Sequence, residues 1–194
     1  MRDITLTSYT NFADVKRSEY LAWHGLSEDR RMREIFQMKE ALHIESPDYI
    51  AMLRVLNKHG VDYLIIGGHA FSFYAQWRYT KDFDVWIRQT AENAQHAYDA
   101  CSEFGAPMDK FAPADFANDL ILQIGVEPFR IDILKKISGV DFDSAWRQRV
   151  IAKLGDLEIP FISKQDLIAS KLAAGRRRDL ADVEDLEESG TASK

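Results

Sequence analysis

The sequence predicts an α+β fold built on one core, with a helical extension at its N-terminus, and three observations predict it. Residues 63–87 read in succession as strand, glycine corner, helix and strand. Two later pairs of apolar runs, 120–124 with 129–134 and 150–154 with 157–162, are separated by short glycine-bearing turns, as hairpins are. Around them lie stretches with helical periodicity, N-caps and glycine stops. A chain of 194 residues with 46% hydrophobic content can bury one sizeable core. The expected organisation is an extension over 1–46, a core over 47–188 and a frayed tail over 189–194.

Residues 1–13 show only weak alternation, at Ile4 and Leu6. A short helix is expected over 14–23, closed by Gly25. Ser27 then has the character of an N-cap, and Glu28 and Asp29 suit the positive end of a helix dipole. That helix should run to about His43, with Met32, Ile35, Phe36, Met38 and Leu42 as its apolar stripe. The stripe suits packing on the core, and an extension ahead of a core also suits a partner or dimer surface. Ser46 and Pro47 open the next helix, whose buried face is Ile50, Leu53 and Leu56 and whose stop is Gly60.

The central stretch carries the chemistry. An apolar run ends at Ile66, Gly67 and Gly68 form a corner, and a helix is expected from His69 to Trp77. Glycine lets the backbone come close to a ligand, and the N–H groups of a helix start attract an anion such as phosphate. Lys81-Asp82-Phe83-Asp84-Val85 alternates like a strand, so Asp82 and Asp84 share one face while Phe83 and Val85 face the core and Lys81 lies opposite the aspartates. Two neighbouring carboxylates need a counter-charge. Magnesium supplies it, held by one or two carboxylates plus substrate phosphates. A phosphate cradle followed closely by paired aspartates therefore points to phosphoryl or nucleotidyl transfer.

Beyond Ile87 a helix is expected over 91–104, with Ala94, Ala97, Tyr98 and Cys101 on one side and Gly105 as its stop. Residues 106–119 read as a loop with a short helix near Asp115. In the strand 129–134 one aspartate, Asp132, interrupts an otherwise apolar run, and burying an unpaired carboxylate is costly, so a partner is expected. Asp141 and Asp143 precede a helical run and suit caps. Ser163 with Asp166 opens a helix to about Ala174 in which Lys164, Leu167, Ile168 and Lys171 share a face. Lysines so placed either snorkel to water or enter a polar cleft, and the cleft is expected for Lys171. Arg176, Arg177 and Arg178 follow Gly175, where they complement a helix C-terminus or contact phosphate, with Asp179 and Asp182 as their possible partners. Leu180, Val183 and Leu186 should hold a last helix on the body.

Apolar strand, Gly67-Gly68, helix, then Asp82-x-Asp84, with thirteen residues (69–81) between the motifs, resembles the signature of the nucleotidyltransferase superfamily built like the palm of DNA polymerase beta. Arg78-Tyr79-Thr80-Lys81-Asp82-Phe83-Asp84 is similar to the form found in its bacterial abortive-infection (AbiE-type) toxin branch, as is the later run from Ser163 through Lys171 to Asp182. Many members have serine after the first glycine; Gly68 has no hydroxyl, so a phosphate contact there must come from backbone. The resemblance implies a mixed sheet flanked by helices, over roughly residues 47–188. It also implies two magnesium ions on Asp82, Asp84 and Asp132 and a nucleoside triphosphate, such as ATP, at Gly67 and Gly68. Lys171 would face its phosphates, with His69, Arg78 and Arg176 as further nucleotide contacts; packing against the strand is the alternative for His69, and pairing with Asp82 the alternative for Arg78.

The implied acceptor is RNA such as transfer RNA, or protein, in a toxin–antitoxin or phage-defence setting with a cognate antitoxin as a further partner. The rivals are an antibiotic nucleotidyltransferase, an antitoxin-like half of a two-gene system whose N-terminal helices are the docking surface, and a catalytically silent nucleotide- or partner-binding module. A formal charge of −6 argues against general attraction to nucleic acid, and DNA is not an expected partner, though a local basic groove is compatible with it. Cys101 is the single cysteine, which excludes an intrachain disulfide and a cysteine-rich zinc site. No apolar stretch is long enough to cross a bilayer and residues 1–10 lack a signal-peptide apolar region, so a cytoplasmic protein is expected.

Overall fold

A computed structural model describes residues 22–37, 47–78, 80–118, 121–126 and 130–191. Its helices are α1 (Glu28–Gln37), α2 (Pro47–Lys58), α3 (Gly67–Tyr74), α4 (Ala91–Phe104), α5 (Phe142–Gln148), α6 (Lys164–Ala174) and α7 (Arg177–Thr191). Its strands are β1 (Tyr63–Ile65), β2 (Asp82–Ile87), β3 (Leu122–Ile124), β4 (Arg130–Leu134), β5 (Val150–Leu154) and β6 (Leu157–Phe161). They form one mixed sheet in the order β3-β4-β2-β1-β6-β5. β2 runs antiparallel to β1 and parallel to β4, β1 is parallel to β6, and the two hairpins β3–β4 and β5–β6 complete the edges.

Alternation along β2 decides where the site sits. Phe83 and Val85 are fully buried on one face, and Phe83 stacks on Tyr49 of α2 with ring centroids 4.8 Å apart. Asp82, Asp84 and Trp86 share the other face. Trp86 meets Phe142 of α5 edge-to-face at 4.9 Å, so this face is closed by aromatic packing at one end. The aspartates lie at the other end.

Local signals placed most elements. α4 spans the expected residues: Thr90 accepts the Asn93 N–H at 3.2 Å, and Gly105 ends the helix at φ 92°, a left-handed conformation that glycine adopts without strain. Asp141 caps α5 through the Ser144 N–H, and a short 3-10 helix at Pro113–Phe116 fulfils the one expected near Asp115. α3 differs from expectation. It begins at the glycines themselves and ends at Tyr74, where the chain turns and Ser72 Oγ accepts the Arg78 N–H at 3.2 Å.

In α1 the cap and stripe are as expected, with the Arg30 N–H donated to Ser27 Oγ at 3.3 Å and Met32 and Ile35 buried. It is seated on the core, where Glu28 accepts the Lys153 N–H of β5 at 3.1 Å and His24 Nε2 lies 3.2 Å from the Ala75 carbonyl. Residues 1–21 and 38–46 lie outside the described residues, and with them most of the helix expected over 14–23, the distal part of the α1 stripe and the Ser46 cap. α7 extends to Thr191, past the expected boundary at 188. Val183 and Leu186 face inward as expected, but Leu180 is 45% exposed and Asp182, at 3%, is buried in its stead. The buried stripe therefore follows 182, 183, 186 and 189. Among the described residues no helix is long and apolar enough to cross a membrane.

Candidate active site

Parallel pairing of β2 with β4 sets Asp84 opposite Asp132 and Asp82 opposite Arg130. Residues in register on neighbouring strands project to the same face, so the three aspartates converge from two distant stretches of chain. The partner that Asp132 requires is Arg130, two residues earlier on the same face. Its Nε donates to Asp132 Oδ1 at 2.8 Å and its Nη2 to Asp132 Oδ2 at 3.0 Å, while Nη2 also reaches Asp82 Oδ2 at 3.2 Å. Gln123 of β3 adds a long contact to Asp132 at 3.4 Å, and the Thr80 hydroxyl donates to Asp82 Oδ1 at 2.9 Å.

Asp84 sits in surroundings that oppose its charge. Burial, followed by the charges of Asp82 and Asp132, pushes its carboxyl up to about 7; Lys171 and Arg130 pull the other way without cancelling this. Among the described residues no three carboxylate, imidazole or thiol groups close on one point as a finished cation cage. Arg130 stands between two of the aspartates.

The glycine corner is built against these carboxylates. Gly67 has φ 62°, and a Cβ on it would lie 1.9 Å from Asp84 Oδ2. A Cβ on Gly68 would lie 2.7 Å from Thr80 Oγ1. Both positions thus exclude a side chain, Gly67 doubly so, and the start of α3 comes directly against the acidic pair. A cleft of about 570 Å³ opens here. Its walls include Gly67, Gly68, Thr80, Asp82 and Asp84 on one side, Leu134 at the end of β4 with Lys136, Ile137 and Ser138 after it, and Ser170, Lys171, Arg176 and Arg178 from the C-terminal helices and their link. Asp132, only 7% exposed, is not part of that wall.

Ser163 fixes the phase of α6. Its Oγ accepts the Asp166 N–H at 3.1 Å, the N-cap expected from the sequence, while the Asp166 carboxylate accepts the Ser163 hydroxyl at 2.8 Å in place of the backbone N–H that the expected capping box would use. Two turns on, Lys171 points into the cleft as expected, yet it is not a lone cation. Its Nζ donates to Asp182 Oδ2 at 2.5 Å and reaches Asp179 Oδ1 at 3.5 Å. Asp182 also receives the fork of Arg78, with Nη2 at 3.0 Å from Oδ2 and Nη1 on Oδ1. Burial works to raise the Asp182 carboxyl, but hydrogen bonds from Arg78 and Lys171 outweigh it and hold the group below the ordinary carboxylate range.

Several sequence expectations are corrected here. Arg78 lines the cleft but pairs with Asp182 rather than Asp82, its guanidinium lying over the Phe71 ring at 4.2 Å. His69 is not on the cleft wall: it is 3% exposed and packed edge-on against Tyr49 and Phe83 at 5.5 and 5.0 Å, the strand-packing alternative. The three arginines do not finish a helix. Arg176 is on the link and pairs with Asp179 at 3.1 Å, while Arg177 and Arg178 open α7, where the dipole does not favour a cation. Arg130, Thr80 and the double pairing of Asp182 were missed. The first two had a signal: each stands two residues before an aspartate, the spacing that puts neighbours on one strand face.

Carboxylates, glycine corner and cation-bearing cleft thus come together on the central strands of the mixed sheet. Residues 49–190 match the model of the family described as nucleotidyltransferase of unknown function (DUF6036), and the chain belongs to that family. No curated protein matches it. Among solved structures, an antigenic nucleotidyltransferase-like protein from Paracoccidioides brasiliensis is similar at 15% identity, with a TM-score of 0.45 over 73% of this chain and 74% of that one.

Proposed function

We propose that the chain is a magnesium-dependent transferase that moves a nucleoside monophosphate from a nucleoside triphosphate to an acceptor hydroxyl. The observation that carries this reading is the register of β2 and β4, which aligns Asp84 with Asp132 while Gly67 abuts Asp84. Magnesium fits the donor set. Asp82, Asp84 and Asp132 offer hard oxygen ligands, and Asp84 is aligned with Asp132 across the two strands. Bound there, magnesium would neutralise the triphosphate and lower the pKa of the attacking hydroxyl.

The chain's own groups account for the remaining requirements. Backbone N–H groups at Gly67 and Gly68 receive the outer phosphates at the start of α3. The acceptor oxygen attacks the α-phosphorus, the bond from that phosphorus to the bridging oxygen of the β-phosphate breaks, and pyrophosphate leaves. Asp132 serves the attacking hydroxyl as metal ligand or as the base that takes its proton. Lys171, with Arg176 and Arg178 nearby on the wall, faces the charge gathering on the leaving group. Because Asp182 and Asp179 already share the Lys171 charge, the exposed arginines carry more of this task than the sequence suggested.

The similarity of residues 78–84 and 163–182 to the toxin branch favours RNA, such as the end of a transfer RNA, or protein as acceptor, in a toxin role with a cognate antitoxin. The second reading is a silent binding module, and Arg130 bridging Asp82 and Asp132 is the observation on its side. Incubation with each labelled nucleoside triphosphate, magnesium, total RNA and lysate protein tests both. Transfer of label, reduced at least ~100-fold in Asp84→Asn, is expected for the enzyme; label transferred undiminished by that variant overturns the assignment.

A further inference from the structure

We infer that Arg130 is a resident counter-ion of Asp132 and must leave it before Asp132 can bind a divalent cation. The inference rests on the magnesium site proposed above and concerns the order in which that site is filled. Both carboxylate oxygens of Asp132 are taken by one guanidinium, at 2.8 and 3.0 Å, and the same Nη2 reaches across to Asp82 at 3.2 Å. A fork of this kind is among the strongest polar contacts a carboxylate makes, and it fills the space between two of the three proposed ligands.

An arginine cannot yield by losing its proton, because guanidinium stays charged at any pH the fold survives. It can yield only by moving. The Arg130 side chain is 23% exposed, against 10% for that of Asp132, so its head is nearer solvent than the carboxylate it holds. Among the described residues the Arg130 fork goes to Asp132 and Asp82, not to Asp84. The arrangement divides the site into a part available without moving Arg130, Asp84 with the Asp82 Oδ1 that also accepts the Thr80 hydroxyl, and a withheld part, Asp132. A first cation enters at the available part; a cation that uses Asp132 enters only by displacing Arg130. Arg130 is accordingly a positioning residue: its fork holds the Asp132 carboxylate and withholds the residue that serves the acceptor hydroxyl.

Manganese titrated by calorimetry without nucleotide reads this directly, since it does not depend on turnover. Arg130→Gln is expected to bind Mn²⁺ about tenfold more tightly than the wild type, the order of one charge-assisted fork removed. Arg130→Lys keeps the positive charge and loses the fork, so a smaller gain in the same direction separates release of Asp132 from a general change in charge. Adding Asp132→Asn to either variant should abolish the gain. In the wild type, the Arg130 Nε–H resonance, assigned by its disappearance in Arg130→Lys, should shift as Mg²⁺ is added. Unchanged or weaker Mn²⁺ binding in Arg130→Lys, together with an Nε–H resonance unmoved by Mg²⁺, overturns the inference. Thermal melts identify a variant that fails to fold, and Arg130→Lys then carries the test alone. Label transfer with no affinity gain rejects the counter-ion role and leaves the transferase standing; an affinity gain with no transfer to any acceptor does the reverse.

Discussion

Gly67 shows how tightly single residues constrain this site. Its backbone is left-handed, and a methyl group there would stand 1.9 Å from Asp84 Oδ2. Gly67→Ala should therefore lower stability by about 1–3 kcal/mol, read as a drop in melting temperature, and cut nucleotidyl transfer far more than stability alone explains, because Asp84 is pushed from its place. Gly60, also at positive φ (66°) but with open space around it, is the matched control: Gly60→Ala should cost stability and leave transfer intact. Lys135 makes a different point. It is 3% exposed at the end of β4, and burial lowers its ammonium to about 8, with Asp115 and Cys101 opposing that shift. Between pH ~8 and the unfolded value of ~10.4 the unfolded chain holds more protons at this position, so stability from this group rises with pH across that window. At pH 7 its charged form is a standing cost; Lys135→Met should raise the melting temperature at pH 7, and the gain should shrink toward pH 10. An unfolding series at fixed salt from pH 7 to 10 checks the sign.

Elements deliver these residues, and each is delivered by local chemistry that can be cut. The helix α6 carries Lys171 into the cleft because Ser163 caps it and Gly175 closes it at φ 65°. Ser163→Ala should cost about 1 kcal/mol, measurable by denaturant unfolding with an unchanged slope, while Ser163→Asp should retain most of the stability. The hairpin β3–β4 presents Asp132, and the adjoining parallel pairing with β2 decides what Asp132 faces. A slip of one residue there would turn Asp132 and Arg130 to the opposite face together, so register rather than residue identity assembles the site. The burial of Ile131 and Ile133 on the alternate face resists that slip. The aromatic group of Tyr49, His69 and Phe83 likewise anchors the start of α3 beneath the glycine corner.

Across the molecule, one ionic network joins parts of the chain about a hundred residues apart. Asp182 of α7 holds Arg78, just ahead of β2, and Lys171 of α6 at once, both within hydrogen-bonding distance. Removing the shared anion leaves two cations facing each other at a largely buried position, where breaking a charged partnership typically costs ~3–5 kcal/mol. Asp182→Asn should fall toward the lower end, since the amide still accepts hydrogen bonds. It should also weaken triphosphate binding by loosening the α6–α7 wall, and a titration with a non-hydrolysable triphosphate followed by tryptophan fluorescence would measure that loss. An unchanged melting temperature in this variant would show that the network is dispensable.

Much of this was open to a reader of the sequence, for reasons of range. Capping residues, glycine stops, strand alternation and the two hairpin turns act over a few residues, so α4, α6, the hairpins and the shared face of Asp82 and Asp84 were legible in order. The similarity of the glycine corner and Asp-x-Asp spacing to nucleotidyltransferases was legible too, and the family match over residues 49–190 agrees with it. What the sequence could not decide was pairing between distant charges. Arg78 had a phosphate or Asp82 as its expected partner and took Asp182, His69 chose the aromatic core over the cleft, Lys171 found its charge already shared, and Arg130 came to lie between two of the carboxylates. Those outcomes depend on strand order and helix phase, because a charge settles with whichever opposite charge folding brings within about 4 Å, and no local rule of sequence encodes that distance.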